Sequence, residues 1–255
     1  LVRSYASNGR YGADVEIEEI KKPRNRLEIN IEVDEGKSAK IKKITIIGNE
    51  TYADEELLEG FELSEGSFFS FLSSNDQYSR EKLIGDIETL ESYYRDRGFL
   101  KFSIESSQIS LSRDKKSIFI TYNIIEGEKY TIDDVDVIGD VPFEEEIYSD
   151  IINSLKEQTY SQAQITSIEE FFVNVLGNRG YAFAEVSGDT EIIDDSNEIK
   201  LIFKVVPGKK TYTRKILFTG NNVTQDHVMR REMRQFEGAW SSDNSIEAGK
   251  VRLER

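Results

Sequence analysis

At 255 residues, with 38% hydrophobic and 32% charged side chains, the chain is longer than one average domain and reads as globular material with a wet surface, not as disordered sequence. Its formal charge of −15 disfavours nucleic acid or an anionic membrane as the main partner, since both attract basic patches, and points to proteins instead. Cysteine is absent, which excludes a disulfide framework and leaves the compartment open; no stretch approaches eighteen apolar residues, and residues 1–20 lack the build of a signal peptide.

Residues 1–8 read as the end of a helix that Gly9 stops. The next landmark is a pair of glycines twelve positions apart, Gly36 and Gly48, bracketing the β-branched alternation of residues 41–47. The pair returns as Gly127 and Gly139 around residues 130–138, and again as Gly208 and Gly220. The text matches too: DEGKSAKIKKITIIGN, IEGEKYTIDDVDVIGD and VPGKKTYTRKILFTGN. Recurrence at a fixed interval marks a tandem array, one small domain per repeat.

Each repeat continues in the same order. A first short helix is expected after the glycine-closed strand. A second follows, with Leu83, Ile87, Leu90 and Tyr94 at helical spacing in one repeat and Ile165, Ile168, Phe172 and Val175 in the next, where Ser161 and Gln164 form a capping-box pattern. These helices stop at Gly98 and Gly180, as the earlier one does at Gly9, and a β-branched residue (Val15, Ile104 or Val186) lies six positions past each glycine. Two strands close the repeat, 99–111 with 118–125 and 181–193 with 198–206, joined by polar turns at 112–117 and 194–198. The order is βααββ. The first strand must join the closing hairpin in one sheet, giving an α+β module with a three-stranded mixed sheet and two helices on one face. With no flexible linker between modules, the array is expected to form an articulated rod. The predicted boundaries are 1–36, 37–126, 127–207 and 208–255, the middle two being complete modules.

Two local patterns suggest binding surfaces. Phe102 and Ile104 share one strand parity while Ile109 and Leu111 share the other, so the inward face switches within residues 105–108. A β-bulge there exposes Ile109 and Leu111 beside a sheet edge as a docking patch; a long strand whose end serves another neighbour is the alternative. Residues 224–236 read as a helix with Met229, Met233 and Phe236 on its apolar face and Arg230, Arg231 and Arg234 on the other, the ordinary pattern of a solvated face. Glu237 then stands at the unfavourable negative end of the helix dipole, where either a neighbouring arginine or a partner neutralises it. Trp240, the only tryptophan, is expected to pack in a core, and His227, the only histidine, to sit at the surface or in a cap. One histidine without cysteine cannot build a typical zinc site, and no carboxylate pair or calcium loop stands out, so neither an enzyme nor a cofactor site is indicated.

The βααββ order, the glycine pairs and the Arg-Gly-Phe and Arg-Gly-Tyr endings of the second helices resemble POTRA (polypeptide-transport-associated) domains over nearly the whole chain. RREMRQFEGAW (230–240) and the text after it look like the barrel-proximal POTRA domain of outer-membrane β-barrel assembly proteins. The resemblance implies that residues 1–36 end a second POTRA domain, that 37–126 and 127–207 are the third and fourth, and that 208–255 begin the fifth. It implies a periplasmic scaffold at the outer membrane that holds accessory lipoproteins, of propeller type at 37–126 and of helical-repeat type at 208–255, and receives unfolded outer-membrane proteins. A membrane barrel would follow outside this sequence. Glu237 with Arg230, Arg231 and Arg234 is the expected polar contact, and free sheet edges supply β-augmentation. A POTRA arm of another secretion barrel, or a free-standing adhesin or cell-wall-binding rod, are the other readings.

Overall fold

A computed structural model describes residue 5 and residues 9–10, 13–36, 38–66, 76–193 and 196–254. Except for Tyr5, the helix end expected over 1–8 lies outside the described residues, as do the first two positions of the turn at 194–198. The chain divides into two compact units, residues 1–128 and 129–255.

The first unit opens on an antiparallel hairpin, β1 (Asp14–Lys22) with β2 (Arg26–Asp34). Next come β3 (Lys40–Ile47), α1 (Asp54–Leu58), α2 (Arg80–Arg95), β4 (Ser103–Leu111) and β5 (Ser117–Ile125). β5 lies in the middle of the sheet, parallel to β3 and antiparallel to β4. Alternation then decides what is buried. Ile118, Ile120, Tyr122 and Ile124 of β5 and Ile41, Ile44 and Ile46 of β3 point to the helices, where they meet Leu57, Leu83, Leu90 and Tyr94. Each such side chain fully withdrawn from water contributes about 2 kcal/mol. α2 closes by the bond from Phe99 N to Tyr94 O (3.1 Å), which needs the left-handed backbone of Gly98, φ +107°.

The second unit repeats this plan with β6 (Thr131–Gly139), a 3-10 turn at Glu145–Ile147, α3 (Ser149–Leu155), α4 (Gln162–Gly177), β7 (Glu185–Ile192) and β8 (Glu198–Val206), in sheet order β6-β8-β7. The Ser161 side chain accepts from Gln164 N at 3.3 Å, capping α4. Leu176, not Val175, completes the buried stripe after Ile165, Ile168 and Phe172, because the fully covered positions run at i, i+3, i+7 and i+11. The eight turn glycines take φ between +62° and +107°. At Gly48 and Gly139 space also matters: a Cβ would lie 2.2 Å from Ile124 O and 2.1 Å from Val205 O.

The two complete repeats differ by ten positions between their opening glycines, and the structure locates all ten. Ile41 bonds to Gly66 N and Asp76 O, whereas its counterpart Ile132 makes the same two bonds to the adjacent residues Glu157 and Gln158. Residues 67–75 are therefore a nine-residue insertion. The tenth is Glu105, a bulge in β4 that β7 lacks.

Residues 208–254 depart from expectation. Residues 213–219 form no strand, and Tyr212 makes a single bridge to Trp240. α5 covers only Asp226–Glu232, and Met233 leaves the helix at ψ 141° to pack on Gly249 of α6 (Asp243–Leu253). The predicted apolar face of 224–236 is thus split, and Phe236 is exposed. Trp240 is exposed as well, not a core residue as expected, because its position pairs backbone with Tyr212 at the rim of the module.

Candidate interaction surfaces

β4 is an edge strand: beyond it, among the described residues, no strand pairs. The register passes from Ile104↔Ile124 to Ser106↔Asn123, so Glu105 is the extra residue and the predicted parity switch falls there. Both Ile104 and Leu111 consequently pack against the core although they are seven positions apart. Ile109 lies opposite buried Ile120 and is 38% exposed at the rim of the helix-covered face. The expected patch is therefore smaller: Ile109 is presented and Leu111 is partly buried, since its cross-strand partner Ile118 belongs to the core. From Ser106 to Leu111 the strand carries no charge. The corresponding edge β7 carries Glu185, Asp189 and Glu191. Charged side chains protect an edge from added strands, and past Glu105 β4 lacks that protection.

The second surface is built on Arg230. Its Nε bonds Asp226 Oδ2 (2.5 Å), Nη1 bonds Glu237 Oε1 (2.9 Å) and Nη2 donates to Ile216 O (2.7 Å). Glu237 also accepts from Ile216 N at 2.8 Å. That backbone bond first, and then Arg230, hold its carboxyl below the usual range, and the same ion pairs raise Arg230. Glu237 is not at a helix end, as the sequence suggested, since α5 stops at Glu232, and the dipole penalty does not arise. Arg231 and Arg234 point to solvent, Arg231 beside Glu232 at 3.6 Å. A shallow groove among Ile216, His227, Met233 and Phe236 runs beside the pair.

Sequence reasoning missed several buried polar residues, three of which hold backbone N–H groups. Gln235 accepts from Ser242 N (3.0 Å) and donates to Trp240 O (3.0 Å), folding the 235–242 turn. Asp86 accepts from Glu62 N (2.6 Å) and Leu63 N (3.2 Å) inside the first core. Glu126 accepts from Thr51 and Tyr94. The helical period does mark Asp86, which lies three residues after Leu83 on the buried stripe where Ile168 stands in the other repeat. Among the described residues no group of three or more His, Asp or Glu is placed to hold a metal, and no helix is long and apolar enough to cross a membrane.

The sequence profile of the POTRA family, described as a surface antigen variable number repeat, matches residues 39–127 and 130–208. The chain is 31% identical over its whole length to the outer membrane protein assembly factor BamA of Neisseria meningitidis, covering 32% of that protein. It is 31% identical over 98% of its length to BamA of Buchnera aphidicola, covering 41%. The chain thus spans about a quarter to two-fifths of the length of the curated relatives it matches. A crystal structure of Haemophilus influenzae BamA POTRA3-5 superposes with a TM-score of 0.73 at 26% identity, covering 85% of each chain. With two profile matches over most of its length, each on a three-stranded mixed sheet with two helices, the chain belongs to the POTRA family, which is not an enzyme family.

Proposed function

We propose that the chain is the POTRA arm of a BamA-type outer-membrane assembly factor, placed at the periplasmic face of a Gram-negative outer membrane. In this reading residues 37–126 and 127–207 are the third and fourth POTRA domains, flanked by the end of the second (1–36) and the start of the fifth (208–255). The arm binds unfolded β-barrel clients by adding a strand to the β4 edge. A propeller-type lipoprotein docks at Ile109 and a helical-repeat lipoprotein at the Arg230–Glu237 surface.

The observation that carries this reading is the edge of β4, bulged at Glu105 and uncharged from Ser106 to Leu111. Backbone N–H and C=O groups pair with any extended chain, so an open edge receives many sequences, while one exposed isoleucine adds a specific contact. The test is titration of a propeller-type outer-membrane lipoprotein against the chain and its Ile109→Ala variant. Affinity should fall roughly tenfold, the cost of losing one well-placed apolar contact, with the melting temperature of the chain nearly unchanged. Equal affinity of the two chains would reject the assignment of this edge.

A further inference from the structure

The net charge conceals a local reversal of sign. Residues 207–218 hold Lys209, Lys210, Arg214 and Lys215 and no acid. All four cations are exposed, and among the described residues none forms an ion pair within bonding distance. Lys215 exerts only a longer-range pull on Glu237, whose carboxylate Arg230 and Ile216 N already hold.

Aromatic rings gather at the same place. Phe183, Tyr212 and Trp240 are 77%, 61% and 58% exposed. Bonds from Thr213 N to Ala239 O and from Ser241 N to Thr211 O lay the two segments side by side and pair Tyr212 with Trp240. Thr211 N donates to Gly180 O (2.8 Å), tying them to the end of α4. The Lys210 ammonium lies 5.3 Å from the Tyr181 ring and 5.7 Å from that of Trp240.

The repeat shows that these are surface positions of the module. The Tyr212–Trp240 bridge corresponds to Lys40–Gln77 and Thr131–Thr159, and Phe183 corresponds to Lys101; none of these five residues is buried. The earlier repeats fill the positions with polar side chains, and here they are aromatic.

We propose that this aromatic and basic surface docks on an anionic phospholipid bilayer. Tyr and Trp combine an apolar body with a polar edge and settle at headgroup depth, while lysine stems reach the phosphates from an apolar footing. The surface offers ring area and positive charge with no carboxylate among residues 207–218, which suits a fluid anionic interface better than a shaped protein partner. The remaining negative charge of the chain keeps the contact local.

Trp240 is the only tryptophan and so reports the contact directly. The 255-residue chain is titrated with vesicles of phosphatidylglycerol and phosphatidylethanolamine in equal parts, and with vesicles of phosphatidylcholine alone. The expected result is a blue shift of Trp240 emission on the anionic vesicles only, quenched by brominated lipid and weakened by salt. Each cation near an anionic surface contributes about fivefold in affinity, so the Lys209→Gln, Arg214→Gln, Lys215→Gln triple variant should bind on the order of 100-fold more weakly. Circular dichroism checks that the variant keeps its fold, and Lys115→Gln with Lys116→Gln, in the other unit, should bind like the parent. No emission change on anionic vesicles, an equal change on phosphatidylcholine, or parental binding by the triple variant overturns the proposal and leaves the surface to a protein.

Discussion

The Tyr94 hydroxyl donates to Glu126 Oε1 across 2.7 Å, with the ring fully buried and the carboxylate nearly so. Thr51 adds its N–H (3.1 Å) and hydroxyl (2.6 Å), so three donors hold the residue that leads from β5 to Gly127. The preceding repeat has the same pair, Tyr5 to Glu35 at 3.4 Å, whereas the following one has Leu176 and Pro207 at these positions. Tyr94→Phe leaves the carboxylate one donor short and should cost about 1–2 kcal/mol. The expected readout is faster native-state amide exchange throughout β5, and exchange at the parental rate would show that the bond contributes nothing.

Two acids of the first core respond to pH with opposite signs. Burial raises Glu126, but the bonds from Thr51 and Tyr94 outweigh it and hold the group below its ordinary 4.5. Its contribution is complete above that value and is lost as pH falls through the lower folded value. Burial pushes Asp86 from 3.8 up to about 6, against the pull of the Glu62 and Leu63 N–H groups. As pH falls from 7 through 6 toward 3.8, the folded state takes up a proton that the unfolded chain does not yet hold, and the native state gains. Comparing core amide exchange at pH 7 and pH 5, Asp86→Asn should lose that gain. Asp86→Ala strands two buried N–H groups and should cost about 1–3 kcal/mol at either pH.

Glycine positions separate local from tertiary demands. Gly139→Ala combines a left-handed backbone with a Cβ 2.1 Å from Val205 O, and should destabilise the second unit by about 3 kcal/mol or more. Gly85→Ala meets nothing within 4 Å inside α2 and should stabilise by about 0.5–1 kcal/mol. Thermal melts of both variants test the contrast.

Deleting Glu105 should leave a folded module. Removing the bulge restores regular alternation and keeps Ile104, Ile109 and Leu111 on the core side, the register that β7 already uses. Client or lipoprotein binding at this edge should weaken if the bulge presents it, as measured against the undeleted chain. Unchanged binding would assign the bulge to strand twist alone.

Glu237→Lys should break a local tie and spare the fold. The variant loses the acceptor of Ile216 N and sets a second cation beside Arg230, so exchange at the Ile216 amide should accelerate while the core amides of β8 stay unchanged. Binding of a helical-repeat lipoprotein should fall with it and return when the facing residue of that partner is reversed to an acid.

Much of this protein was legible in its sequence because the features concerned are local. Strand alternation, helical spacing from Leu83 to Tyr94, the Ser161 cap and the turn glycines all rest on residues within one or two turns of each other. The parity change between Ile104 and Ile109 likewise predicted a bulge, and its site was found within the four residues named. Tertiary structure decided what depends on partners distant in the chain. Leu111 joined the core because Ile118 lies opposite, and Glu237 found Ile216 and Arg230 instead of a helix end. Trp240 faces solvent because it pairs with Tyr212 at the module rim, and Asp86 is buried because amides 62 and 63 require an acceptor there. Periodicity records which side of its own element a residue occupies; only the packed fold decides which residue from elsewhere in the chain meets it.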